Sequence, residues 1–204
     1  MTRRLVPFVT VLILVLAASP LFAQATTWQI DPVHSSTQFA VRHMMVSTVR
    51  GQFTKTSGTV VWDGKNVSLA VLNIVIDAAS IDTHEPTRDN TLRGAEFLNV
   101  AKYPTLTFKS TKVETVGEGR AKVTGDLTIR DITRQVVIDV EGPSAAVKDP
   151  TSATRVGASA TTKISRRAFG LIYNKVLEGG GVVVGDAVAI TIDIEIVSVP
   201  MAGK

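Results

Sequence analysis

His34, His43 and His84 are the three imidazoles of the chain, and no cysteine accompanies them. Without a thiolate, and without two histidines close enough to share an ion from one helix face, they do not make a zinc-ligand pattern. His34 follows Asp31 by three residues and stands next to Ser35, which assembles the residue types of a nucleophilic hydrolase. No Gly-x-Ser-x-Gly elbow surrounds that serine, and adjacent residues on a strand point to opposite faces. The Asp-x-x-His spacing suits a local hydrogen bond in a turn. His43 shares the parity of Phe39 and Val41, so it falls on an inward face. There it either bonds a ligand carbonyl or is satisfied by backbone or a buried hydroxyl.

The elements that must position these residues are strands. From Ala187 to Ile196 the chain alternates without a break, with Val188, Ile190, Ile192, Ile194 and Ile196 on one parity and Ala187, Ala189, Thr191, Asp193 and Glu195 on the other. That is a half-buried strand. The same period predicts strands over 28–31, 37–45, 48–62, 68–79, 105–116, 121–130, 135–141 and 152–164. Asp63-Gly64-Lys65-Asn66, Gly117-Glu118-Gly119 and Gly142-Pro143 separate them as turns. One helical interval is expected near 85–100, with Pro86 in its first turn and Gly94 breaking or ending it. The reading is all-β: an antiparallel, closed barrel of about eight strands with a short helical insertion, because closure removes exposed edges.

Before the strands, Arg3 and Arg4 precede an apolar run over 5–18, and Ala23-Gln24-Ala25 supplies a small-x-small cleavage pattern. Residues 1–25 are therefore expected to be a signal peptide, with Pro7 and Pro20 arguing against a spanning helix. The domain would occupy 26–204, which is 179 of the 204 residues. Removing Arg3 and Arg4 from 22 basic residues leaves 20 against 18 acidic ones, scattered instead of lining one stripe, so a nucleic-acid partner is not expected. Zero cysteines exclude a disulfide framework. The expected compartment is the periplasm or, after secretion, the medium.

Inward parity collects Phe39, Val41, His43 and Met45, Leu106 and Phe108, Val123, Leu127 and Ile129, Val136, Ile138 and Val140, then Val156, Ala158, Ala160 and Thr162, and Ile190, Ile192, Ile194 and Ile196. Ala158 and Ala160 put small side chains where a packed core wants bulk, so either an elongated ligand or a ring from an opposite strand takes the space. Arg88 and Arg93 on the helical insertion are candidates near a polar ligand head, or else form local ion pairs with Asp89 or Glu96. Arg166-Arg167 after the 152–164 strand either seats an anionic group or forms a solvated bend. Gly179-Gly180-Gly181 reads as a flexible approach to the last strand. Outward Val67, Leu69, Val71 and Val75 mark a homodimer or membrane contact, or lie under the helical segment.

Several stretches, in order, resemble the YceI-like family: 28–35 (WQIDPVHS), 39–44 (FAVRHM), 49–53 (VRGQF), 87–93 (TRDNTLR), 97–104 (FLNVAKYP), 107–110 (TFKS), 125–129 (GDLTI) and 164–171 (ISRRAFGL). The resemblance covers essentially the whole chain after the leader. It departs at Asn90-Thr91, where the family often has a histidine, and at Gly94-Ala95-Glu96. It implies an exported, lipocalin-like barrel that binds a polyisoprenoid, such as a quinone tail or an isoprenoid lipid, with no other cofactor. The walls would be Phe39, Val41, Met45, Leu106, Phe108, Val156, Ala158, Ala160, Ile190 and Ile192, with His43, Arg88 and Arg93 as polar contacts. A transient contact with a membrane or a membrane protein goes with such a cargo. The rival reading is a lipid- or quinone-modifying enzyme with His34 or His43 as acid/base.

Overall fold

The computed structural model describes residues 25–178 and 180–198. The expected leader, apart from Ala25, lies outside the described residues, as does Gly179. In chain order the strands are β1 (Thr26–Ile30), β2 (Ser36–His43), β3 (Ser47–Phe53), β4 (Thr56–Trp62), β5 (Val71–Asp77), β6 (Ile81–Asp82), β7 (Thr105–Gly117), β8 (Arg120–Ile129), β9 (Ile132–Glu141), β10 (Val147–Lys148), β11 (Thr154–Ser165) and β12 (Val184–Ser198). Helix α1 (Pro86–Arg93) follows β6. The sequence β11–β9–β8–β7–β5–β4–β1–β12 closes through eleven residue pairs between β12 and β11. The result is an eight-stranded antiparallel barrel.

β2, β3 and β6 lengthen this wall. β12 pairs with β1 at Ile196–Ser198 and with β2 from Asp193 down to Val184, so β1 and β2 are halves of one arm broken at 31–35. Pro32, which has no N–H to give a ladder, stands in the break. There Asp31 N–H donates to Glu195 O, and Glu195 N–H donates to Ser35 Oγ. β3 and β4 form a second arm, expected from the sequence as one strand over 48–62. It breaks at Thr54-Lys55 because both amides donate to Ser80, one to its carbonyl and one to its hydroxyl. The strand expected from Ser68 begins only at Val71, since the Asn66 side chain caps a 3-10 turn over Val67–Leu69. Glu85 caps α1 by accepting from the amides of Thr87 and Arg88, Pro86 sits in the first turn, and Gly94 ends the helix. The expected helical interval is thus eight residues of helix followed by turns.

One packed cluster, Phe108, Val113, Ala121 and Val123, lies on β7 and β8, and another sits toward each of two ends. At one, Trp28, Ile30, Val60, Trp62, Val156 and Ile196 form a cluster in which the indole rings lie 5.9 Å apart. At the other, Phe169 is 1% exposed among Ala78, Ile81, Leu98, Leu106 and Ile129. The β9–β11 seam holds three residue pairs, and the 3-10 turn Arg167–Phe169 packs against β9 and β11 beside it.

Candidate ligand-binding site

Between the two packed ends lies a cavity of about 510 Å³, within the range of small-molecule sites. Its wall is aliphatic and aromatic. Strand periodicity explains it, since β5, β8, β9 and β12 each turn alternate side chains to one face: Leu72, Ile74 and Ile76, then Val123 and Leu127, then Val136, Ile138 and Val140, then Ile190 to Ile196 on even numbers.

Two glycines keep the lumen open. A methyl group on Gly125 would stand 2.4 Å from Phe108 Cζ, and one on Gly51 would stand 2.5 Å from Phe39 Cζ. The phenyl rings therefore lie along the wall over residues with no side chain, and do not cross the space.

Phe39, Val41, His43, Arg88, Leu106, Phe108, Val156, Ala158, Ile190 and Ile192 all line the cavity. Three residues expected there do not. Met45 is not on a strand; it sits in the turn between β2 and β3 at φ 59°, 55% exposed. Arg93 is consumed locally, donating to Ala79 O, Ile81 O and Asn90 Oδ1, which fastens the end of α1 to β6 and the turn before it. Ala160 is paired with Val140 and Ile192, and it is these two longer side chains that line the cavity. Arg88 is held by Thr83, Nε to Oγ1 at 2.8 Å and Nη2 to O at 2.9 Å.

Sequence reasoning missed other wall residues. The even parity of Leu72, Ile74 and Ile76 was a legible signal for them. Val67, expected outward, lines the cavity from its 3-10 turn, while Leu69, Val71 and Val75 are exposed. Arg166 is 3% exposed and lines the cavity with donors tied to the carbonyls of Gly185, Leu171 and Val184. Burial pushes its pKa down. The polar lining residues are Thr37, Gln38, Arg42, His43, Arg88, Thr91, Thr162 and Arg166; the Thr37 hydroxyl is satisfied by that of Thr56 at 3.1 Å.

His34 is not a lining residue. Its Nδ1 lies 2.9 Å from Asp31 Oδ2, as the spacing suggested, and this carboxylate raises its pKa. The Ser35 hydroxyl is engaged with the backbone of Glu195. Ligand atoms of Asp31, His34 and Glu195 lie within 4.8 Å of one another, but the Arg155 guanidinium bonds both carboxylates and supplies the positive charge a metal would bring.

Residues 28–196 match the YceI-like domain. The chain belongs to the YceI-like family. A UPF0312 protein of Vibrio parahaemolyticus is 38% identical over 154 residues, covering 74% of this chain and 81% of its own. The crystal structure of the Campylobacter jejuni YCEI protein superimposes with TM-score 0.65 at 28% identity, over 76% of this chain and 88% of that one. A polyisoprenoid binding domain from Saccharophagus degradans has the same fold, TM-score 0.63 at 15% identity, over 85% and 99% of the two chains. Family and geometry together make this a binding-protein fold: a barrel built around a space.

Proposed function

We propose that the protein is an exported, non-enzymatic carrier or store for an isoprenoid lipid or a quinone tail, held in the barrel. The observation that carries this reading is the cavity of about 510 Å³ inside the barrel, with its largely aliphatic and aromatic wall. Each methylene taken from water contributes about 0.8 kcal/mol, so a prenyl chain needs few directed bonds. Its head would sit near His43, Arg88 and Thr91. The Saccharophagus domain of the same fold is named for that ligand class. The basic start, apolar run and Ala23-Gln24-Ala25 support export with cleavage after Ala25, to the periplasm or the medium.

The protein has two tryptophans, and Trp62 lines the cavity. A long-chain quinone entering the barrel quenches their fluorescence saturably, and an unlabelled prenol relieves the quenching by competition. Absence of saturable quenching overturns the proposal. His43 on the lining keeps the enzymatic reading testable. With both His34 and His43 replaced by Gln, a carrier retains its lipid, whereas an enzyme loses turnover with binding intact.

A further inference from the structure

The turn between β2 and β3 breaks two rules at once. Met44 and Met45 lie at φ 51° and 59°, the left-handed region that costs an ordinary residue roughly 1–2 kcal/mol and that hairpins normally fill with Asn or Gly. They are also large apolar side chains left 43% and 55% exposed, followed by Val46 at 81%. Folding alone favours neither choice.

The turn does not stand by itself. Met44 N–H donates to Val183 O, Met45 Cγ lies 3.7 Å from where a methyl group on Gly181 would stand, and Val176 bridges to Val182. The loop after the Arg167–Phe169 turn thereby joins the hairpin tip, adding Ile172 at 71% and Val176 at 83% exposure. This rim borders the cavity, because His43, Leu171, Val183 and Val184 line it from the same segments. Three cations belong to these segments. Arg42, which braces the turn by donating to Met45 O, and Lys175 and Arg167 have no carboxylate within salt-bridge distance among the described residues. Glu178 is on the same loop, and Asp186 is turned to the Arg167 amide and the Ser165 hydroxyl. The Lys/Arg ion pairs instead involve Arg155, Lys122, Lys112 and Lys55.

We propose that this rim, the 44–46 turn with Ile172 and Val176, docks on the surface of an anionic lipid bilayer and brings the border of the cavity that it shares toward the acyl layer. Exposed methionines and valines enter the interface while the adjacent cations meet lipid phosphates. Strain at an exposed tip marks a functional choice. The inference takes its purpose from the proposed lipid cargo, but docking itself is measured without any cargo.

The test is co-sedimentation of delipidated full-length mature protein with vesicles of phosphatidylethanolamine and phosphatidylglycerol, and with phosphatidylcholine vesicles for comparison. The parent protein binds the anionic vesicles, with a salt-sensitive component. The double variant Met45→Asn, Val176→Ser binds roughly ten-fold more weakly. Asn accepts the left-handed backbone, so the hairpin is retained, and circular dichroism checks that the variant is folded. Leu69→Ser, which removes an exposed apolar side chain away from the rim, binds like the parent. Failure of the parent to bind either vesicle overturns the proposal, as does equal binding by parent and double variant. A dimer that dissociates in the double variant while vesicle binding is unchanged assigns the rim to a second copy and also overturns it. Quinone quenching that persists in the double variant shows that a docking defect leaves the cavity intact.

Discussion

Arg155 Nη1 lies 2.6 Å from Asp31 Oδ2, joining residues 124 positions apart. The contact ties β11 to the break between β1 and β2, across β12. The same guanidinium also takes Asp149, at 2.7 Å, and Glu195. One arginine thus holds three carboxylates at the closing seam of the barrel.

This cluster gives a signed pH dependence. The Arg155 bond, then the His34 bond, holds Asp31 well below its ordinary 3.8. Thr151 and Arg155 hold Asp149 at about 2. Depressed carboxylates stabilise the fold above their ordinary value and lose that contribution as pH falls through the folded one. His34 is raised from 6.5, so its contribution is full below that value and fades as pH rises through the folded one. Arg155→Gln therefore lowers Tm by a few degrees at neutral pH, and the gap to the parent narrows as pH falls from about 3.8 toward the folded values of Asp149 and, lower still, Asp31. Thermal melts across a pH series check this; a gap independent of pH contradicts it.

The glycines under the two phenyl rings make a second prediction. Besides Phe108, a methyl group on Gly125 would meet Lys109 O at 2.5 Å, a backbone atom that cannot step aside. Gly125→Ala should destabilise by about 1–3 kcal/mol, several degrees in Tm, and push the Phe108 ring toward the lumen. Calorimetry and quinone titration of the same variant read both effects.

Cavity volume can be reduced with little strain at Ile192, whose ladder neighbours Ala160 and Thr37 are small. Ile192→Phe sends the added atoms into the lumen. Prenol affinity should fall at least about ten-fold while the Tm of the delipidated protein changes little. Unchanged affinity would show that the ligand does not occupy this stretch.

At the hairpin tip, stability and docking are expected to move in opposite directions. Met44→Asn relieves a left-handed methionine and should stabilise by roughly 1 kcal/mol, about 2–4 °C in Tm. Vesicle binding should weaken at the same time, a stability–function trade-off. Thermal melts paired with vesicle co-sedimentation measure it.

The alternation from Ala187 to Ile196 announced both the barrel and the face that lines it, because a period of two leaves a strand no choice about which side is buried. Pro86 and Gly94 likewise marked the ends of α1 through local rules. Local rules failed where tertiary partners decided. The break at Thr54-Lys55 comes from Ser80, 25 residues on from Lys55, and no pattern within the strand shows it. Met45 continued the parity of Phe39 and Val41, yet the chain reverses there with residues that turn statistics disfavour. Arg93 and Arg166 were indistinguishable by type from free cations until the carbonyls around them were in place. Lumen width depends on Gly51 and Gly125 meeting two particular rings, a relationship across strands.

The most direct test is mass spectrometry of the protein freshly purified from the cells that produce it, first intact under native conditions and then after organic extraction. A folded protein carrying about one equivalent of an isoprenoid lipid or quinone, lost on extraction and regained on adding a long-chain prenol or quinone, is the expected result. Protein that carries none when freshly isolated, and takes up none when it is supplied, contradicts the account.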